Sequence, residues 1–169
     1  MNIMEIDYIT NTLQKLLDED THIRNEYIKT KEEKYLEQMK EIDAESTDFI
    51  IKILSEFGFP TISKVGKKPS FHAWKLVQHS PDPKLQEKYL ALMEENLEDV
   101  NKRDFAYLKD RVLLSQGKQQ IYGTQFNKVD DGRYVPINLW DIENVNARRK
   151  EVELDSLEEN IARMTKLYG

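Results

Sequence analysis

After Gly117 the spacing of apolar residues changes, and no other feature constrains the fold as much. Before it, apolar side chains recur every three or four residues, the spacing of one helix face. After it, Ile121, Gly123 and Gln125 alternate with Gln120, Tyr122 and Thr124, a two-residue period. Asp130-Asp131-Gly132 is a turn signal, and Arg133-Tyr134-Val135-Pro136-Ile137 returns as a second strand. The segment 120–125 is therefore expected to form the first strand of one hairpin, with Pro136 at an edge or a strand end. A lone hairpin is marginal in water, so it must lie on the helices, with Trp140 helping to pin it. On a regular strand Gln120, Tyr122 and Thr124 share a face; a bulge at Gly123 would bring Gln125 round to join Gln120. The fold class that follows is mainly α: a compact helical domain with one small C-terminal β-hairpin packed on the helices. Residues 1–169 are expected to make a single domain, of which 1–42 are N-terminal helices.

The helical part reads in order. Ile6, Ile9, Leu13, Leu16 and Leu17 predict a helix over 4–19, which Asp18-Glu19-Asp20 is expected to break. A second run carries Ile23, Tyr27, Tyr35, Met39 and Ile42, with the polar stretch KTKEEK fraying or looping out in its middle. Phe49, Ile50, Ile53, Leu54 and Phe57 predict a helix over 44–57, capped by Asp43 or Ser46 and ended by Gly58. Pro69-Ser70 opens the next, with Phe71, Trp74 and Val77 on its core side. Asp82 caps and Pro83 begins a helix running to about Val100. Another spans 102–116, a short one follows from Val145, and Asp155-Ser156-Leu157-Glu158 resembles the capping box of the last.

Composition removes whole classes of chemistry. The chain has no cysteine, so disulfides, thiolate nucleophiles and iron–sulfur clusters are out, and a reducing cytoplasm fits. With 31 acidic against 25 basic residues the net charge is -6, which argues against a nucleic-acid partner. No basic leader precedes an apolar run at the N-terminus, and no stretch approaches the roughly 20 apolar residues of a membrane span. The Walker, dinucleotide-binding and nucleophile-elbow patterns are missing. His72 and His79 lie two helical turns apart, about 10 Å of rise and too far to share one ion, so no metal and no cofactor is expected.

General acid–base chemistry stays open. His79 is the foremost candidate, because histidine titrates near neutrality. It follows Gln78 in the last turn of a helix, where the alternative is a helix-end imidazole bonded to backbone or solvent. Asp110 would orient the histidine or a substrate group, and Arg111 would grip a carboxylate or phosphate; the alternative for this pair is a salt-bridge network. Gln78, Trp74, Gln120, Tyr122, Gly123, Thr124 and Gln125 complete the candidate ligand site. Alternatively, the polar residues of 120–125 stitch the hairpin to the helices by hydrogen bonds.

The ordered pieces resemble an uncharacterised bacterial domain-of-unknown-function family of small soluble proteins. They are Gly58-Phe59-Pro60-Thr61, Val77-Gln78-His79, Asp110-Arg111-Val112, Tyr122-Gly123-Thr124-Gln125 and Arg148-Arg149, within residues 43–167. Phe59 stands where tryptophan is expected, and the stretch between Met93 and Asp104 is more acidic than expected. The resemblance imports no activity. It implies that the polar pieces belong to one shared feature. The expected function is a metal-independent hydrolase or transferase on a small polar or peptide-like substrate. The alternatives are a non-catalytic binder of a nucleotide-like or amino-acid-like ligand and a protein-interaction domain. The expected partner is a small molecule, with no nucleic acid and no membrane, and the N-terminal helices offer a face for self-association.

Overall fold

The computed structural model describes residues 3–168; Met1, Asn2 and Gly169, the ends of the expected 1–169 span, lie outside it. Helix accounts for 72% of it, in eight α-helices among the described residues, with one small two-stranded antiparallel hairpin towards the C-terminus. The chain divides into two compact units, Met1–Asn101 and Lys102–Gly169.

The first unit is all helix. α1 (Ile3–Thr30) doubles back through residues 31–33 into α2 (Lys34–Glu56), and both pack on α4 (Lys67–His79). α3 (Ile62–Val65) is a single turn, and α5 (Pro83–Glu95) is followed by a 3-10 turn, Leu97–Asp99. Leu13, Leu16, Ile50, Ala73, Val77 and Tyr89 form the centre of its core. The expected break at Asp18-Glu19-Asp20 does not occur. Asp20 lies on the buried face of α1 and bonds Arg24 one turn on, so its charge supports the helix. The break comes at 31–33, where Lys31 takes φ 60°, in the polar stretch expected to loop out.

α2 begins ten residues before the expected start. Tyr35, Met39, Ile42, Ser46, Ile50 and Ile53 keep one continuous helical spacing, and Ser46 is buried within that stripe. Asp43 and Ser46 are therefore interior residues, not caps. Gly58, at φ 90°, ends the helix as expected, its N–H donating to the Ile53 carbonyl at 2.9 Å. α4 starts at Lys67, not Ser70, because proline is tolerated in a first turn whose N–H groups have no intrahelical acceptor. Phe71 is 42% exposed and lies outside the core, tilted against Trp74 at 5.5 Å. Asp82 caps α5 as expected, accepting from Lys84 N–H at 2.9 Å. That helix stops at Glu95 rather than Val100, where the Asn96 side chain takes the Leu92 carbonyl at 2.8 Å.

The second unit begins with α6 (Lys102–Ser115), followed by β1 (Phe126–Lys128) and β2 (Tyr134–Pro136). A 3-10 turn at Ile142–Asn144 leads into α7 (Val145–Glu151), and α8 (Leu157–Tyr168) ends the chain. The hairpin pairs Phe126 with Pro136 and Lys128 with Tyr134, and β2 leans on α8, where Tyr134 N–H reaches Thr165 Oγ1 at 3.4 Å. The turn at Asp130-Asp131-Gly132 and the terminal place of Pro136 are as expected. The first strand is not. It lies at 126–128, and residues 121–124 are irregular because side chains, not a neighbouring strand, take their backbone groups. Trp140 is 48% exposed and lies against the Arg148 guanidinium at 4.7 Å instead of pinning the hairpin. The capping box falls one residue later than expected. Ser156 Oγ accepts from Glu159 N–H at 3.2 Å while Glu159 Oε2 accepts from Ser156 N–H at 2.9 Å.

Candidate functional site

In the second unit, the backbone of residues 120–125 is held almost group by group. Asp110, fully buried on α6, accepts four hydrogen bonds. Its Oδ1 takes the N–H groups of Ile121 (2.8 Å) and Tyr122 (3.0 Å); its Oδ2 takes the N–H and the hydroxyl of Thr124, both at 3.0 Å. The carbonyls are met from α7. Arg148 Nε donates to Ile121 O at 2.8 Å, and Arg149 Nη1 donates to Tyr122 O at 2.7 Å and Gly123 O at 3.1 Å. Gln120, also fully buried, closes the loop. Its Oε1 accepts from Gln125 N–H at 3.0 Å, and its Nε2 donates to Gln125 O at 2.9 Å and to Ile137 O.

Burial raises the Asp110 carboxyl above its ordinary range, against the pull of the backbone N–H groups. Burial also lowers Arg149, which Asp155 counters. Gly123 sits at φ 66°, and a Cβ there would lie 3.1 Å from Leu157 Cδ1. The glycine is therefore required twice, by conformation and by the close approach of α8.

The first unit carries a different cluster. His79 Nδ1 lies 2.7 Å from Asp20 Oδ2, joining the end of α4 to the middle of α1. Asp20 is 1% exposed, and its other oxygen accepts from Arg24 Nε at 2.6 Å. Arg24 continues to Asp43 on α2 through Nη2. The carboxylate fixes the ring and leaves Nε2 as the atom that can exchange a proton. Burial lowers the His79 pKa below its ordinary 6.5, although Asp20 opposes it. Asp20 is pushed up by burial but pulled further down by His79 and Arg24, so it lies below 3.8. At neutral pH the imidazole is thus a neutral base with an ionised partner.

A family model, Family of unknown function (DUF6624), matches residues 10–169. The chain belongs to the DUF6624 family. No curated protein and no solved structure matches it. The family match begins well before residue 43 and takes in Asp20 and Arg24, the partners of His79.

In this DUF6624 chain the sequence-predicted residues fall into two groups. Asp110, Gln120, Tyr122, Gly123, Thr124 and Gln125 form one hydrogen-bonded assembly of the second unit, in which Gln125 Nε2 also donates to Thr124 Oγ1 at 3.1 Å. Arg111 follows Asp110 on α6 and is half-buried. Trp74, Gln78 and His79 lie on α4 of the first unit. Trp74 is buried, and so is Gln78, whose Oε1 has no hydrogen-bond partner among the described residues. Two sets of residues were missed. Arg148 and Arg149 were visible within the resemblance but carried no assigned role. Asp20 is expected from the sequence to break the helix and Arg24 has no expected role; the available signal is their four-residue spacing on the side shared with Leu13, Leu16 and Leu17. Among the described residues no three histidine or carboxylate side chains gather as a metal site would need.

Proposed function

We propose that the protein is a metal-independent hydrolase or transferase acting on a small polar or peptide-like substrate, with His79 as general base and later general acid. The supporting observation is the 2.7 Å contact between His79 Nδ1 and the buried Asp20 carboxylate. Asp20 holds the tautomer in which Nε2 is the basic atom and stabilises the imidazolium once a proton has arrived. Arg24 keeps Asp20 ionised and in place. His79 is 20% exposed, so a small substrate hydroxyl or water can reach it while most of the ring stays packed. The assembly of Asp110, Gln120 and Arg149 contributes a rigid loop rather than proton transfer, since its polar atoms already serve one another. We propose a cytoplasmic location, which a chain without cysteine suits. No helix among the described residues is long and apolar enough to cross a membrane.

The test is a turnover screen over small esters, carboxamides and aminoacyl anilides, followed by variants. His79→Ala is expected to lower kcat by about 100-fold or more while leaving substrate affinity within about threefold. Asp20→Asn should lower kcat and displace its pH profile. Equal loss of affinity and turnover in His79→Ala would replace the enzyme with a small-ligand binder, and full retained activity would remove His79 from the mechanism.

A further inference from the structure

Arg24 faces two ways. Its Nε and Nη2 are bound to Asp20 and Asp43, but its remaining terminal nitrogen, Nη1, has only the Met39 thioether, 3.5 Å away. Sulfur in methionine is a weak acceptor, so a guanidinium donor there is poorly used. Asp43 mirrors this. Its Oδ1 accepts from Arg24, while Oδ2 has no hydrogen-bond partner among the described residues. Both groups line a cleft of about 520 Å³ at the turn between α1 and α2, with Leu36 and Met39 as its apolar lining. The rim lysines are already paired, Lys34 with Glu32 at 2.7 Å and Lys40 with Glu37 at 2.8 Å. Arg24 and Asp43, 27% and 17% exposed, are paired with each other but each keeps one open position, Nη1 and Oδ2, side by side in the cleft; Glu33 is a further carboxylate of the lining.

We propose that this cleft binds a free α-amino acid with an apolar side chain. Its carboxylate would displace the thioether from Arg24 Nη1, a charge-assisted bond replacing a weak one. Its ammonium would meet Asp43 Oδ2, and its side chain would lie along Leu36 and Met39. A carboxylate and an ammonium held two bonds apart complement a donor and an acceptor that flank a single ion pair. Either charge alone would fill only one of the two open positions, Nη1 or Oδ2, and would upset the charge balance of the existing pair. The site shares Arg24 with the Asp20–His79 pair but involves no proton transfer, so leucine binding is measured by itself, apart from turnover.

The experiment follows the Met39 methyl resonance of the full-length protein during titration with L-leucine, 4-methylpentanoate and 3-methylbutylamine. Saturable binding of leucine, with each half-ligand at least about tenfold weaker, is expected. Asp43→Asn keeps an acceptor for Arg24 but removes the charge, and should weaken leucine about tenfold. Leu36→Ala, at an exposed position that tolerates truncation, should narrow the preference for leucine over glycine. The proposal is overturned if leucine gives no saturable shift. It is equally overturned if either half-ligand binds as well as leucine, or if a folded Asp43→Asn protein binds it unchanged.

Discussion

Replacing Asp110 with alanine would leave three backbone N–H groups and the Thr124 hydroxyl without their acceptor inside a buried shell. Each buried donor left unsatisfied costs about 1–3 kcal/mol, so the expected destabilisation is roughly 3–5 kcal/mol after relaxation and water entry. Asp110→Asn should lose less, about 2–3 kcal/mol, since one oxygen still accepts while the amide N–H₂ meets donors. Urea unfolding of the two variants checks this order. If Asn proves as damaging as Ala, the carboxylate's charge matters more than its acceptor count. Arg149 is the complementary case. It is fully buried and holds the Tyr122 and Gly123 carbonyls, the Asp155 carbonyl at 2.6 Å and the Asp155 carboxylate at 3.4 Å. Arg149→Lys keeps a charge but not the fork, and a loss of about 2–4 kcal/mol is expected by the same unfolding measurement.

At the scale of elements, α8 depends on its start. Ser156 and Glu159 bond reciprocally, and the Leu157 N–H reaches Asn146 Oδ1 at 2.8 Å. Ser156→Ala is expected to cost about 1 kcal/mol, seen as a lower unfolding midpoint with an unchanged denaturant slope. A changed slope would mean that the helix frays before the rest of the unit unfolds. Capping signals of this kind are legible in the sequence, as are Gly58, Asp82-Pro83 and the turn at Gly132, because each acts through a few neighbouring residues. Helix continuity is less legible. Asp20 and Ser46 read as breakers or caps from their own chemistry, yet each lies buried in an uninterrupted helix, and for Asp20 the reason is a tertiary one, its bond to His79, 59 positions along the chain. Residues 121–124 mislead for the same reason, although Gln120 and Gln125 at their ends do bond the backbone of residues 137–140. Their alternation suggests a strand, but Asp110 and Arg149, eleven and more residues away, take the hydrogen bonds that a strand partner would have taken. Of the candidate site, the residue types were legible and their partners were not: His79 was visible, Asp20 was not.

For the whole molecule, pH is where these buried groups act together. The two groups of the His79 pair shift downward, and both signs point to loss of stability on acidification. A histidine whose folded pKa is lowered binds its proton more readily when unfolded. Stability is therefore intact above about pH 6.5 and declines below it until the folded pKa is reached. An aspartate whose folded pKa is lowered contributes above 3.8 and loses that contribution as pH falls through the folded value; Asp20 and Asp155 both belong here. Acid unfolding should therefore show two stages, a shallow decline in Tm that sets in below about pH 6.5 and a steeper one below about pH 4. The first stage belongs to the first unit, and the imidazolium formed there is met by Asp20, which keeps the decline shallow. His79→Gln retains a donor for Asp20 without titrating, so it should reduce the upper stage to the share of His72, whose pKa burial also lowers, and leave the lower one in place. Calorimetry at half-unit pH steps decides the point. If the upper decline is as large in His79→Gln as in the unaltered protein, the imidazole is not held neutral by burial, and the case for His79 as a base at neutral pH fails with it.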